Sequence, residues 1–461
     1  MKKKLFALIA IFFALAVFAA CGGGGGNVTP PADSPPPEQV TPDDPYGEED
    51  QPEVVSRDGD VTITVASRFG GDEPFQVFYR QLAEEFNALD NGITVDLNNV
   101  GGPETNYLDT LRVSFAAGEP PNVFKEHGGS RVRDYVDAGV LVDMTPYFEA
   151  NPEWFNNFYY PGMFMELMYD DIDGIWGVPL AAYMITLYYN RELFDEVGVS
   201  VPENFEELFE VSQAFVDADI LPFQVGAMDV WRLGHFHTNV FLRSLGSDAM
   251  NRLATRELAY DSPEVIETFR VIEEMVSRGF LGQDILSNDY NTERAAFEAG
   301  QVAMRWDGTW YVSEIFDTPA YDFTGVAPFP WINEEHSNAI QGGMSDGFFI
   351  SSLNATDEQI EASVEFLEFL TSRENFARFN EAATVLFPAD FDATPDTPDN
   401  PTFDQVIEIA ATMRYMRPDL QNPDVETHML DTVRNALQGL AMGNSAEETA
   451  EQIVAMQQIR E

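Results

Sequence analysis

Val61-Thr62-Ile63-Thr64-Val65-Ala66 decides the fold, because this run of β-branched residues is typical of a β-strand. The strand is followed by an apolar stripe at helical spacing, made of Phe75, Phe78, Tyr79, Leu82 and Phe86. The alternation of Ile93, Val95 and Leu97 then predicts a second strand. The order strand, helix, strand predicts a βαβ unit and therefore a parallel sheet.

Helices and short strands continue to alternate towards the C-terminus. A helix predicted over residues 107–117 ends at Gly118, and residues 122–124 read as a short buried strand. Capping residues open three further helices, at Asn204, Ser262 and Thr356. The chain has 461 residues, and beyond roughly 250–300 residues a single core stops growing. We therefore expect an α/β fold with two domains or one two-lobed unit.

The N-terminus reads as an export signal. Lys2, Lys3 and Lys4 precede fourteen apolar residues at 5–18, which is shorter than the roughly 20 residues that a membrane-spanning helix needs. Cys21 is the only cysteine, and Ala19-Ala20-Cys21 resembles the lipobox of bacterial lipoproteins. Residues 1–20 are then a lipoprotein signal peptide, and Cys21 carries the lipid. The alternative is an ordinary cleaved signal followed by an incidental cysteine.

Residues 21–57 predict the acylated cysteine followed by a disordered tether. They contain five consecutive glycines, many prolines and many acidic residues, with almost nothing apolar to bury. A flexible segment of this length has an end-to-end distance of about 30–36 Å. The folded domain is therefore expected to cover residues 58–461.

The net charge excludes several classes of function. At -53, the chain repels phosphate backbones and anionic lipid headgroups, which argues against nucleic-acid binding and polybasic membrane docking. The single cysteine leaves no disulfide, thiolate metal site or cysteine nucleophile in the mature domain. His235 and His237 are the only close pair of histidines, and on a strand they would point to opposite faces. We therefore expect no metal and no cofactor.

The order of several short motifs resembles the extracellular solute-binding proteins of ABC transporters, in particular the family 1 type that takes sugars and oligosaccharides. The motifs are FAAGEPPNVF (115–124), GVLVDMTP (139–146), GVPL (177–180), LYYN (187–190), GQVAM (300–304), GTW (308–310) and GFFIS (347–351). The resemblance implies a two-lobed, periplasmic-binding-protein-like fold of type II. In this fold, strands cross between the lobes and a ligand binds in the cleft.

By this resemblance, the strands cross between the lobes at residues 179–183, 341–345 and 385–388. Lobe 1 then combines residues 58–181 with 346–385, and lobe 2 combines residues 182–345 with 386–461. The implied function is the capture of a mono- or oligosaccharide for ABC permease subunits, without catalysis. The protein is then a monomer on the extracytoplasmic face of the membrane, held there only through the lipid on Cys21.

A sugar site needs aromatic platforms for C–H faces and planar polar groups for hydroxyl pairs. Trp231 and Trp310 lie in loop-like settings where the resembling family keeps cleft aromatics, and Phe69 and Tyr183 are weaker candidates. The alternative for each ring is core packing, to which we assign Trp154, Trp176 and Trp306. The polar candidates at strand ends are Arg68, Glu126, His127, Asp307 and Asp346. Gly342 and Gly343 would allow backbone amides to approach a ligand.

Two other functions remain alternatives to sugar capture for transport: a secreted lipoprotein hydrolase, either an esterase or a glycosidase, and a sugar sensor. Residues 343–347 satisfy the G-x-S-x-G pattern of α/β-hydrolases, but the residues after them read as a strand, whereas that motif requires a helix. A glycosidase needs only two carboxylates, and the chain has 78 acidic residues, so a pair of acids is uninformative. The third possibility is a sugar sensor that reports to a kinase.

Overall fold

The computed structural model describes residues 60–458, except 90, 101–103, 159–160, 170, 317, 384–399, 421–423, 425 and 427. The predictions for Cys21, for the tether and for a crossing at residues 385–388 lie outside the described residues. None of the helices in the described ranges combines the length and the apolar character that a transmembrane span requires.

The predicted βαβ unit opens the described chain. Strand β1 (Val61–Ser67) is followed by helix α1 (Pro74–Asn87) and strand β2 (Ile93–Asn99). Strands β1 and β2 are parallel, with Ile63 opposite Val95. The helix begins with proline, which has no N–H to leave unpaired. Its apolar stripe is buried at Tyr79, Leu82, Ala83 and Phe86, so the sequence pattern predicts this unit correctly.

The chain continues with further helices, one short strand and a 3₁₀ helix at Pro161–Glu166. These elements are α2 (Glu104–Ala117), β3 (Val123–Glu126), α3 (Ser130–Asp137), α4 (Thr145–Ala150) and α5 (Pro152–Phe155). Strand β3 is parallel to β1, as expected. However, it pairs on its other side with an antiparallel strand, β7 (Ala339–Ile350). The sheet is therefore mixed, because a strand returning from the distant part of the chain closes it.

Besides β7, the rest of the described chain contributes four strands. They are β4 (Val178–Asn190), β5 (Met304–Gly308), β6 (Thr324–Ala327) and β8 (Tyr415–Arg417). The helices of the intervening chain are α6 (Arg191–Val197), α7 (Phe205–Asp217), α8 (Trp231–Leu245), α9 (Ser247–Ala254), α10 (Pro263–Ser277), α11 (Tyr290–Glu298), α12 (Tyr311–Ile315) and α13 (Pro319–Phe323). A short 3₁₀ helix, Glu334–His336, precedes β7.

Five helices follow β7. They are α14 (Asp357–Leu370), α15 (Arg373–Ala383), α16 (Pro401–Thr412), α17 (Met429–Met442) and α18 (Ala446–Gln458). The predicted caps are present at Asn204 and Thr356, whose side chains accept hydrogen bonds from the amides of Glu207 and Gln359. At α10 only the boundary is as predicted, because the Ser262 side chain makes no capping hydrogen bond there.

Strands β4 and β7 connect the two lobes. The sheet order is β2-β1-β3-β7-β4-β5, and β4 and β7 are antiparallel neighbours within it. The buried residues of β4 change from one hydrophobic core to the other between Ala182 and Tyr183. On β7 the change falls between Ile340 and Met344. The predicted boundaries at residues 181 and 345 lie beside these positions, and the assignment of whole segments to lobes stays a prediction.

Candidate functional site

Strands β1, β3 and β7 bring four charged or polar side chains of lobe 1 together. We call Arg68, Lys125, His127 and Asp346 the lobe 1 polar cluster. Lys125 Nζ lies 2.7 Å from Asp346 Oδ1 and 3.1 Å from His127 Nε2. Arg68 reaches the same carboxylate oxygen at 3.9 Å. The structure thus unites three residues that the sequence proposed separately.

Burial and charge act in opposite directions on Asp346. Burial opposes its ionisation, but the charges of Lys125, Arg68 and His127 outweigh burial and hold the pKa of Asp346 well below its usual range. Lys125 is buried to the same degree as the apolar core. Sequence reasoning missed Lys125 because one lysine inside a four-residue strand gives no signal of its partner. The only sequence hint is a lysine directly after the apolar pair at residues 123–124.

Glu126 and Phe69 have partners within lobe 1. The Glu126 carboxylate accepts a hydrogen bond from the amide of His127 at 2.9 Å and lies 3.6 Å from Arg131 NH1. Phe69 is buried in the core, with its ring centroid 5.1 Å from that of Tyr79 and 5.3 Å from that of Phe75. Because this burial leaves the Phe69 ring without an open face, we do not include it among the proposed stacking platforms.

Five rings meet where lobe 2 adjoins β4. We call Tyr183, Trp231, His235, Tyr290 and Trp310 the aromatic cluster. The ring centroids of Trp231 and Trp310 lie 6.3 Å apart, and that of Tyr183 lies 5.8 Å from Trp310. Trp231, Tyr290 and Trp310 are half-buried, whereas Tyr183 and His235 are buried. The sequence placed Trp231 in a loop-like setting, but Trp231 is the first residue of α8.

Tyr290 and His235 are the members of this cluster that sequence reasoning did not propose as site residues. Tyr290 begins α11, which Asp289 caps by accepting a hydrogen bond from the amide of Thr292. His235 follows Trp231 by one helical turn, so both side chains lie on the same face of α8. A four-residue spacing after a candidate tryptophan is the signal that would have identified His235.

A buried charge network, made of Arg232, Glu293, Arg305 and Asp307, lies directly behind the aromatic cluster. Arg232 donates hydrogen bonds to Glu293 Oε2 at 2.9 Å and to Asp307 Oδ1 at 3.3 Å. Arg305 also pairs with Asp307. Asp307 was proposed as a ligand contact, but it is fully buried between these two arginines. The network therefore supports the aromatic cluster, because Tyr290 donates a hydrogen bond to Asp307 at 3.0 Å.

The crossing strands join the two clusters. Asp346 lies opposite Ala181 on β4, two residues before Tyr183. Gly342 packs against the neighbouring strand, since a Cβ atom there would lie 2.7 Å from the carbonyl oxygen of Tyr183. At Gly343 an added Cβ would lie 2.7 Å from Glu166 Oε1. The approach of a ligand to these two glycine amides stays a prediction.

The remaining tryptophans and the hydrolase-like motif are separate from these clusters. Trp154 and Trp306 are buried, and Trp176 packs against the core of lobe 1 while half-buried. Residues 343–347 lie inside β7, which runs on as a strand to Ile350. A nucleophile elbow needs a helix directly after the serine, so the motif lacks its structural context, as the sequence predicted.

Comparison with known proteins identifies the family. The family model "Bacterial extracellular solute-binding protein" matches residues 73–375. The chain belongs to this family. Two relatives of this solute-binding protein are the multiple sugar-binding protein of Streptococcus mutans, 25% identical over 206 residues, and the melibiose/raffinose/stachyose-binding protein of Bacillus subtilis, 23% identical over 171 residues. The first match covers 43% of this chain and 47% of the relative, and the second covers 36% and 37%.

Solved structures share the fold of the whole described domain. A chitin oligosaccharide binding protein superposes with a TM-score of 0.78 at 23% identity, covering 87% of this chain and 98% of that one. The raffinose-bound protein RafE superposes with a TM-score of 0.68 at 18% identity, covering 86% and 98%. At these identities the likeness establishes the fold. The solute-binding protein therefore has the two-lobed, type II architecture that its sequence predicted.

Proposed function

We propose that this solute-binding protein captures a neutral carbohydrate between its lobes and delivers it, chemically unchanged, to an ABC import permease. The observation that carries the proposal is the aromatic cluster, in which the residues Trp231, Tyr290 and Trp310 are half-buried. Aromatic faces in a cleft suit the C–H faces of a sugar ring. The names of the sugar-binding relatives support the same ligand class.

The polar residues on the lobe 1 side complete the chemistry. Hydroxyl groups both donate and accept hydrogen bonds, so a sugar is matched by a cluster that holds both donors and acceptors. Arg68 and Asp346 supply a donor and an acceptor, and the buried Lys125 holds the carboxylate of Asp346. The net charge of -53 disfavours anionic ligands, and the charges of the lobe 1 polar cluster partly cancel. A neutral mono- or oligosaccharide is the ligand class that fits both observations.

Capture by closure follows from the two-lobed architecture. A ligand that contacts Trp310 on lobe 2 and Arg68 on lobe 1 makes both sets of contacts only when the lobes are together. Such a ligand shifts the population towards the closed form by its difference in affinity for the two forms. Short crossing segments at strands β4 and β7 suit this motion, because a few residues at a hinge absorb the rotation.

The proposal places the protein on the extracytoplasmic face of the membrane, as a monomer held by acylated Cys21. Cys21→Ala would test this point. Mass spectrometry of the wild-type protein should find diacylglycerol and a fatty acyl chain on Cys21, and the variant should be released from the membrane fraction. If the wild-type protein carries no lipid, the proposed membrane anchor is contradicted, but the proposed sugar binding is not.

A binding screen tests the main proposal. The full chain is titrated with raffinose, maltotriose and chitotriose by calorimetry, and any sugar that binds is then tested on Trp231→Ala and Trp310→Ala. Stacking of a nucleic-acid base on an aromatic ring is commonly worth about 1–3 kcal/mol. We expect a contribution near the lower end for a sugar face, so each variant should lose about tenfold in affinity. Trp310→Phe, which keeps a ring, should lose less.

Met442→Ala is the matched control for these variants, since Met442 is exposed at the end of α17 and belongs to neither cluster. It should bind the sugar as the wild type does. Binding that is unaffected by both tryptophan variants, or the appearance of cleaved sugar in the calorimeter cell, would overturn the proposal. Cleaved sugar would favour the hydrolase alternative instead.

A further inference from the structure

His235 lies against three rings of the aromatic cluster, yet it is a polar residue. Its ring centroid lies 5.0 Å from that of Trp231, 6.1 Å from that of Trp310 and 6.2 Å from that of Tyr183. Only 9% of its side chain is exposed. A polar ring in such surroundings needs hydrogen-bond partners for both of its nitrogen atoms.

One of these nitrogen atoms has a partner nearby. His235 Nε2 lies 3.6 Å from Asp419 Oδ2. Asp419 is held in turn by Arg434, which pairs with the same oxygen, and by Thr238, whose hydroxyl donates to Oδ1 at 3.3 Å. The charge of Arg434 is the main influence acting against burial, and the pKa of Asp419 stays well below its usual range. An ionised carboxylate therefore faces Nε2.

The other nitrogen has none. Among the described residues, no hydrogen-bond partner is present for His235 Nδ1, which is fully enclosed. Burial lowers the pKa of His235 despite Asp419, so the ring is neutral and carries one proton. A carboxylate beside Nε2 favours the tautomer with that proton on Nε2. Nδ1 is then a hydrogen-bond acceptor, and leaving it unpaired costs free energy.

We propose that His235 is a specificity-determining residue of the proposed sugar site, and that its Nδ1 accepts a hydrogen bond from a hydroxyl of the saccharide. Asp419 acts as a positioning residue, which fixes the tautomer and the ring orientation. We expect the saccharide to lie against Trp231 and Trp310, the two indole rings that His235 contacts. The inference rests on the proposed function, because the bound hydroxyl is the missing donor.

Two substitutions separate the two edges of the ring. In His235→Asn, the amide carbon takes the position of Cγ, so the amide oxygen lies near the position of Nδ1. In His235→Gln, the amide lies one carbon further out and replaces Nε2, so the contact with Asp419 is kept and the acceptor at Nδ1 is lost. We expect His235→Gln to bind raffinose, maltotriose or chitotriose, whichever the wild type binds, about tenfold more weakly. His235→Asn should stay within about threefold of the wild type.

Nitrogen-15 NMR of the full chain, labelled at its five histidines, gives a readout that needs no sugar. His235 should show a proton on Nε2 and a bare Nδ1, and addition of the sugar should shift the Nδ1 resonance. Asp419→Asn should mix the two tautomers. His237→Gln is the control, because His237 lies on the same helix but contacts Thr268 and Phe269 instead of the cluster.

The outcomes separate this inference from the proposed function. If none of the three sugars binds the wild type, both are overturned. If a sugar binds and depends on Trp310 but His235→Gln binds it equally well, or if NMR places the proton on Nδ1, this inference alone is overturned. If His235→Gln fails to fold, the wild-type protein provides the test. An Nδ1 resonance that does not shift when the sugar binds would then overturn this inference.

Discussion

The indole Nε1 of Trp310 donates a hydrogen bond to the hydroxyl of Tyr290 at 3.3 Å. That hydroxyl also lies 3.0 Å from Asp307 Oδ2 and 3.1 Å from Glu314 Oε2. A phenol has one proton, so it can donate to only one of the two carboxylates. The arrangement is satisfied when Tyr290 donates to Asp307 and a protonated Glu314 donates to Tyr290. The position of the Trp310 ring is therefore coupled to the charge state of a neighbouring acid.

We predict that Tyr290→Phe weakens sugar binding without unfolding the protein. The change removes the acceptor of Trp310 Nε1 and the donor to Asp307, so the indole is no longer fixed by a side chain. The expected loss is about three- to tenfold in affinity, which corresponds to one or two neutral hydrogen bonds. Calorimetry with the bound sugar measures it.

Tyr147→Phe is the control for this variant. Tyr147 donates a hydrogen bond to Glu361 at 3.1 Å within lobe 1, and neither residue belongs to a site cluster. Tyr147→Phe also removes one tyrosine hydroxyl and its hydrogen bond, but it should leave the sugar affinity unchanged. Equal affinities for Tyr290→Phe and the wild type would show that the hydrogen bond does not position Trp310.

Glu314 is expected to make stability depend on pH. Burial and the neighbouring Asp307 outweigh Arg294 and raise the pKa of Glu314 to about 7. A carboxyl whose pKa is raised on folding binds its proton more tightly in the folded state. Its contribution is therefore complete at low pH and is lost as pH rises from about 4.5 to about 7. One pKa unit corresponds to about 1.4 kcal/mol, so the contribution lost is on the order of 3–4 kcal/mol.

Glu314→Gln removes this titration. Urea unfolding at pH 5 and at pH 7.5 should show a smaller decline in the free energy of unfolding for the variant than for the wild type. The comparison between the two proteins cancels the contributions of the other acids. An identical decline in both proteins would mean that Glu314 is already ionised at pH 5.

Lys125 and Asp346 are predicted to form a strongly coupled pair. Lys125→Met leaves the buried carboxylate without its nearest cation, at a cost of about 3–5 kcal/mol in the free energy of unfolding. The double variant with Asp346→Asn should recover part of this loss, because no buried charge is left unpaired. Since the pKa of Asp346 is depressed, the wild type keeps this stabilisation above pH of about 4 and loses it as pH falls.

A double-mutant cycle from urea unfolding measures the coupling. The exposed pair of Arg112 and Asp109 is the control, with side chains that are 64% and 76% exposed. Its coupling should be less than about 1 kcal/mol. A Lys125–Asp346 coupling as small as the control's would contradict the prediction.

Gly342→Ala is predicted to disturb the crossing between the lobes. The added methyl would lie 2.7 Å from the carbonyl oxygen of Tyr183, and a backbone atom cannot move aside as a flexible side chain does. Overpacking of this kind typically costs about 1–3 kcal/mol. Urea unfolding should show the loss, and calorimetry should show weaker sugar binding because Tyr183 shifts with its strand. If Gly342→Ala is as stable as the wild type, the close packing of Gly342 against Tyr183 is contradicted.

Local sequence patterns predicted much of the secondary structure, but they predicted little of which charged side chains pair with each other. The helical stripe ending at Phe86 and the alternation beginning at Ile93 were sufficient for the first βαβ unit, because each depends only on which face of an element is apolar. Asp307 shows the limit of such patterns. Its position at a strand end favoured a ligand contact, but Arg232, 75 residues away in the chain, pairs with it.

By itself, the sequence determined the α/β architecture and the family, and it proposed the two tryptophans of the aromatic cluster, because periodicity, order of motifs and residue type are properties of the chain. Only the tertiary structure decided that Lys125 meets Asp346, that Tyr290 and His235 join the tryptophans, and that Phe69 belongs to the core. The physical reason is that burial and ion pairing depend on distances between segments far apart in sequence. Those distances are set by tertiary packing, in which β7 pairs with both β3 and β4.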